Sequence, residues 1–309
     1  MSIFRLSSWL EKVDPYYTQR IILHKGLYLA TWLTAFNWIA RPDVFTAYCA
    51  GPMLLAGFYE SQSFTTFAEK DKFLVSSFLL CGFGCVTFYL LFPYKFFLLF
   101  YAIGFFLVTY YLSNNFFPKL KPFIMTCIVG SALNMSTTPP ASLQIAIDMF
   151  FCMMLSLMVT FVAFKLYPNP YRKVWHRAFI LYVKSVNREI TDVINRFEII
   201  NFATGAGHLN IIRAYRRLLP KQNLINFSKV VICIRNISFS LTYLLDEEKN
   251  EAFWFNFQQQ LIIFISALEN KKPCPPLAAI NHTDDFDYLY ANQNLAKAIR
   301  NWNKICTQL

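Results

Sequence analysis

Charge is scarce in this sequence, and its absence follows a pattern. Only 15% of the 309 residues are Asp, Glu, Lys or Arg, against about a quarter in an ordinary soluble domain. No charged residue occurs from Phe73 to Tyr94, from Phe96 to Pro118, or from Pro122 to Ile147. A helix at the surface of a soluble domain keeps a polar stripe for water, and these runs have none. At a rise of 1.5 Å per residue, about twenty helical residues cross the ~30 Å hydrocarbon layer of a bilayer. Each run is long enough to do so.

Reactive groupings are missing too. His24, His176, His208 and His282 are scattered, with no Cys, Asp or Glu at ligand spacing. The eight cysteines form no CxxC pair. Cys81 and Cys85 lie one helical turn apart, without a histidine or acid nearby, and read as helix-packing residues. No GxGxxG, P-loop or GxSxG occurs. These absences predict no catalytic residue, no metal and no cofactor, and they argue against an enzyme and against ATP-driven transport by this chain alone. The opening MSIFRLSSWLEKVDPYY has no long apolar core and contains Glu11 and Asp14, so it does not read as a signal peptide.

What the chain has in quantity is apolar and aromatic: 56% hydrophobic residues, 18% aromatics and 33 phenylalanines. The charge-free runs predict an all-α membrane protein with six transmembrane helices, at about Leu23–Ala40, Val44–Tyr59, Phe73–Phe92, Phe96–Leu112, Pro122–Ser136 and Ser142–Tyr167. Residues 1–22 read as a cytosolic amino-terminal segment, 23–167 as the membrane domain and 168–309 as a cytosolic α-helical domain.

The basic residues orient the spans. Arg5, Lys12 and Arg20 precede the first span and Lys25 lies at its start; Lys70 and Lys72 follow the second; Lys119 and Lys121 follow the fourth; Arg172, Lys173 and Arg177 follow the sixth. The alternate loops hold only Arg41, only Lys95, or no basic residue. Cytoplasmic loops carry the excess of Lys and Arg, so both termini are expected in the cytoplasm. Lys95, after Pro93, is then the outer turn of a hairpin. With a net charge of +11, the basic excess is assigned to the cytoplasmic face, and nucleic acid is not an expected partner.

From Pro168 onward polar residues return with helical period. Phe179, Val183, Val186, Ile190, Val193 and Phe197 form a seam with two apolar positions per heptad, a pattern suited to helix packing. Further stripes run from Phe227 to Leu244, from Phe253 to Leu268, and through Leu295, Ile299 and Trp302.

Several residues are candidates for function. Asp148 lies just inside the sixth span. It is either an ionisable functional group within the membrane or an interfacial acid capping the first turns of its helix. His24 and Lys25 at one end of the first span, and Arg41 at the other, either attract an anion or anchor the helix at the headgroups. The second and fifth spans are short and interrupted, by Gly51-Pro52 and by Gly130, Asn134 and Pro139-Pro140. Broken helices in corresponding places mark transport sites in several transporters; kinking and close packing are the plain alternative. Arg213, Arg216, Arg217 and Lys221 form a basic run that binds anionic lipid or an acidic partner, or is simply a solvated helix face.

Six spans with tight hairpins, the entry YPNPYRKVWHRAF into the second half, the short span YCAGPMLLAGFYES and the charged stretch FAEKDKF resemble the fusaric acid resistance / aromatic acid exporter (FUSC-like) superfamily. The layout is distantly similar to that of plant aluminium-activated malate transporters. The resemblance implies an inner-membrane permease that exports small organic anions, aromatic ones among them. Many such exporters carry two copies of the membrane-plus-cytosolic unit and this chain holds one, so a homo-oligomer is expected, with proton coupling through Asp148. A passive anion channel is the nearest alternative. A non-transporting anchor whose helical domain recruits a partner is another.

This topology predicts that single cysteines replacing Lys95 and Lys121, in a background without other cysteines, react with an impermeant thiol reagent from opposite sides of the membrane.

Overall fold

The computed structural model of the chain describes residues 9–42, 48, 52, 55–61, 63–116, 118, 143–194, 204–219, 221–244, 251–277 and 286–306. Among the described residues there is no strand, and the long elements are helices: α1 (Thr18–Ala40), α2 (Phe67–Leu91), α3 (Lys95–Phe116), α4 (Leu143–Leu166), α5 (Tyr171–Ile194), α6 (Thr204–Arg216), α7 (Lys221–Leu244), α8 (Glu251–Glu269) and α9 (Phe286–Cys306). The chain divides into two compact units, Thr18–Asn169 and Met1–Tyr17 with Pro170–Leu309.

In the first unit α4 packs against both α1 and α2, and α2 against α3. Three helical stretches are long and apolar enough to cross a membrane: Phe67–Leu91, Lys95–Phe116 and Ile147–Leu166. The expected first span forms as α1, whose Arg20, His24 and Lys25 make it more polar than those three. Of the expected second span, Tyr48, Pro52 and residues 55–59 are described, all helical. The expected fifth span lies outside the described residues.

Local chemistry sets the helix ends. Thr66 caps α2 by accepting from the Glu69 backbone N–H, while the Glu69 carboxylate accepts from the Thr66 N–H, a reciprocal capping box. Lys70 and Lys72, expected in a loop, therefore lie in the first turns of α2. A tight turn, closed by the Tyr94 N–H donating to the Leu91 carbonyl at 2.9 Å, leads into α3. Lys95 is the exposed first residue of that helix. Gly84 lets the two hairpin helices approach: a Cβ there would stand 2.5 Å from Phe105 Cζ. One turn on, Thr87 and Tyr101 join their hydroxyls.

The second unit is a bundle built around α5, which packs against α6, α7 and α8, with α9 against α7 and α8. Pro170 supplies the carbonyl that accepts from the Lys173 and Val174 N–H groups, so α5 starts where proline loses no helical donor. Phe179, Val183, Val186 and Ile190 are fully buried. Trp175 stacks on Phe179 at 5.2 Å and leans on Phe227 at 4.3 Å. These four seam positions are therefore covered by the chain's own helices; Phe197 lies outside the described residues. The Pro-rich segment after α8 is held by α9: Asn303 accepts from the Cys274 N–H and donates to the Cys274 carbonyl, both at 2.8 Å, and Trp302 donates to the Lys272 carbonyl at 3.0 Å.

Residues 9–17 belong with this bundle rather than forming a separate segment. Tyr16 meets His208 Nδ1 at 2.8 Å, Glu11 lies 3.6 Å from Arg177, and the Arg177 guanidinium sits over the Tyr17 ring.

Two buried titratable groups give this bundle opposite pH sensitivities. Burial raises the Glu189 carboxyl from the ordinary 4.5 to about 7. Its folded-state proton is held more tightly than in the unfolded chain, so stability is lost as pH rises from about 4.5 through 7. Burial, with Lys271 nearby, lowers His176 from 6.5 to about 4. Its contribution is present above about 6.5 and is lost as pH falls toward 4. In thermal unfolding of the detergent-solubilised protein, Glu189→Gln is expected to gain most over wild type at pH 8 and least at pH 5, and His176→Phe to flatten the acid limb.

Candidate functional site

The first unit buries a charged cluster inside its aromatic core. Along α1, residues Ile21, Lys25, Leu29 and Leu33 recur every four positions on one buried line. Lys25 takes a place where its neighbours along the helix are aliphatic. Its ammonium reaches Glu60 Oε1 at 2.5 Å, and Lys70 Nζ on α2 reaches Glu60 Oε2 at 2.9 Å. All three side chains are at most 4% exposed. One carboxylate thus bridges two ammonium groups from two helices.

Tyr59 links this triad to a second pair. Its ring lies 4.3 Å from the Lys25 ammonium and 5.2 Å from that of Lys70. Its hydroxyl donates to Asp71 Oδ1 at 3.2 Å, and Asp71 Oδ2 accepts from Lys165 of α4 at 2.5 Å. Phe164 and Tyr167 stand 4.6 and 5.6 Å from Lys25 Nζ. Cation–π contacts of this kind replace part of the water an ammonium loses on burial. The cluster holds three ammonium groups against two carboxylates, an excess of one positive charge. It also has an exposed edge: Lys165 is 47% exposed and Asp71 25%.

The helix starts determine who meets whom. The Thr66 cap fixes the first turn of α2, so that Lys70 is buried and the adjacent Asp71 turns toward Lys165. Glu60 lies in the turn that ends the helical residues 55–59, where the Ser61 N–H donates to the Phe58 carbonyl at 2.9 Å. Phe64, Phe73 and Phe78 close the core beneath it.

The residues expected to act together are not gathered in one place. Lys25 is in the cluster. Arg41 follows the last residue of the same helix, exposed and with φ of 42°; sixteen residues of helical rise place it about 24 Å away. One small anion cannot touch both at once, as their places at opposite ends of the helix require. Asp148 is half-buried near the start of α4, about 25 Å along the helix from Lys165. Pro52 is helical and buried. Gly51, Gly130 and Asn134 lie outside the described residues. Arg213, Arg216 and Arg217 are exposed at the end of α6 and just beyond it, and Lys221 opens α7; all four belong to the second unit. Among the described residues no group of three or more His, Cys, Asp or Glu could hold a metal ion.

Glu60, Lys70, Tyr59, Asp71 and Lys165 were not read as a site from the sequence. Two signals were present. Glu60 is the only acid between Asp43 and Glu69, and Lys25 shares a four-residue spacing with Leu29 and Leu33.

Buried charges depend on their partners, and removing one partner from a buried pair costs about 3–5 kcal/mol. Glu60→Gln leaves two ammonium groups facing each other; Lys25→Met leaves a neutral Glu60–Lys70 pair. Thermal unfolding in detergent is expected to rank Glu60→Gln as the more damaging change.

Comparison of the chain with protein-family models, curated proteins and solved structures finds no match.

Proposed function

We propose that the chain is a membrane permease for small organic anions, acting as a homo-oligomer in the inner membrane with both termini in the cytoplasm, and with six spans in each copy. The observation that carries this reading is the net-positive, aromatic-lined cluster of Lys25, Lys70, Lys165 and Tyr59 inside a unit whose helices are apolar on nearly every side. Carboxylates are recognised by ammonium groups and flat apolar bodies by aromatic rings, and this cluster offers both within a few ångströms. The likeness to the fusaric acid resistance / aromatic acid exporter superfamily noted in the sequence agrees with that chemistry.

In this reading the lysine cluster is the cytoplasmic mouth, because Lys25, Lys70 and Lys165 sit at the basic ends of their helices. Asp148 lies at the opposite end of α4. It is half-buried there, and in this reading it couples transport to protons. A carboxylate in a membrane segment is costly without such a role.

The experiment is uptake of labelled benzoate by proteoliposomes carrying the purified protein, with an imposed pH gradient. Wild-type protein is expected to move benzoate in a gradient-dependent manner. Asp148→Asn is expected to reduce that dependence at least tenfold. Unchanged flux and unchanged pH dependence in the variant overturn the coupling role. A steady benzoate current in a planar bilayer that ignores pH assigns the chain to the channels instead.

A further inference from the structure

We infer that Glu60 is an internal counter-anion occupying a carboxylate-binding site made by Lys25, Lys70 and the ring of Tyr59, and that an incoming organic carboxylate takes its place. This rests on the permease reading for its purpose, but the site itself is argued from geometry alone.

The Glu60 carboxylate shows what the two ammonium groups accept. Each of its oxygens meets a different ammonium, Oε1 with Lys25 and Oε2 with Lys70. A free carboxylate presents the same two oxygens with the same charge. Around it, the Tyr59 ring faces both ammonium groups, while Phe164 packs on Tyr59 at a ring separation of 4.6 Å and Tyr167 lies beyond Lys25. An aromatic ring attached to the carboxylate would meet rings here, where acetate would bring only a methyl group.

The partners differ in how firmly they are held. Lys25 projects from the eighth position of the 23-residue α1, and Lys70 from the first turns of the 25-residue α2, behind a capping box. Glu60 sits in the turn that ends the helical residues 55–59, and the described residues 61 and 63–65 beyond it are not helical. Withdrawing Glu60 needs a change in one turn; withdrawing either lysine means moving a long helix. The anion is thus the exchangeable member. The way in is the Asp71–Lys165 edge, which is part-exposed and joined to the triad through the Tyr59 hydroxyl.

Charge makes the exchange workable. While Glu60 is in place, the triad has two ammonium groups and one carboxylate. A substrate carboxylate that replaces Glu60 restores the same balance, and Glu60 regains water at the edge. With Glu60 gone and nothing in its place, two like charges remain in apolar surroundings, a state of high energy. The site therefore holds one carboxylate or the other, and Glu60 closes it when no substrate is present.

Chemical rescue of detergent-solubilised full-length protein tests this. Glu60→Gln is expected to bind benzoate at least tenfold more tightly than wild type by calorimetry. Benzoate is expected to raise the melting temperature of the variant, more than acetate at equal concentration and far more than chloride at equal ionic strength. Adding Lys25→Met to Glu60→Gln is expected to abolish the benzoate effect. Equal benzoate affinity in wild type and variant overturns the inference, as does stabilisation by chloride equal to that by benzoate, which would be screening alone. Should Glu60→Gln fail to fold, Glu60→Asp keeps the charge on a shorter arm and is expected to bind benzoate more tightly than wild type; equal binding again overturns the proposal. Binding is measured without transport, so the two readings fail separately. Benzoate flux with no carboxylate-specific rescue removes the site and leaves the permease, while rescue without flux does the reverse.

Discussion

One buried carboxylate has to stand between two buried ammonium groups, and the first unit is arranged around that requirement. Two lysines on separate helices cannot both be buried near each other unless an acid stands between them. Glu60 meets the condition only if the turn at its position, the face of α1 carrying Lys25 and the first turn of α2 carrying Lys70 are all in register. An α-helix rotates its side chains by about 100° per residue, so a start of α2 displaced by one residue would carry Lys70 out of the core. The Thr66–Glu69 capping box fixes that start. Tyr59 is fixed along with Glu60, its neighbour in sequence, and places one ring beneath two cations and one hydroxyl on Asp71.

The helices were legible because their signals are local. Two charge-free runs marked α2 and α3, α2 starting six residues before its expected span; the apolar stretch Ser142–Tyr167 marked α4, and the four-and-three spacing of Phe179, Val183, Val186 and Ile190 marked the buried face of α5. The charged cluster was not legible, for a physical reason. Burial of a charge is a property of a pair, and Lys25, Glu60 and Lys70 are separated by 35 and 10 residues. Alone, each looks like a span-boundary residue: Lys25 and Lys70 fit the basic cytoplasmic ends, and Glu60 fits a loop. Helix seams mislead in the opposite direction. A heptad pattern records that a face is covered and does not say whether a second copy or the same chain covers it. In α5 it is the same chain.

The two units ask for different solvents. α3 carries Phe96, Phe97, Leu99, Phe100, Ile103, Leu107 and Val108 on its outside, and only 6% of its apolar window is buried. A helix apolar on every side is stable where its surroundings are hydrocarbon. In α5 the fully buried residues recur at helical spacing, with the exposed Lys173, Lys184 and Arg188 on the opposite side, the pattern of a helix half in water. The change of solvent falls near Pro168 and Pro170, where two prolines end one helix and start the next.

A buried ion cluster is a poor way to hold helices together. Replacing such clusters with well-packed apolar side chains is often neutral or stabilising, and the core around Glu60 already has Phe64, Phe73, Phe164 and Leu29 to pack. Stability alone would be served as well by leucine and methionine at all three positions. What those residues could not supply is a seat for a charged molecule. A lysine pair held under an aromatic ring offers strong, directional attraction to a carboxylate, and the same strength would trap the anion if nothing competed for the seat. A tethered glutamate solves that difficulty. In the proposed exchange it weakens net binding to a level from which the ligand can leave, and it keeps a counter-charge in the site between visits. The same arrangement that makes the cluster inefficient as a structural fastening suits it to reversible binding, and the proposed passage of an anion rests on this more than on the count of helices.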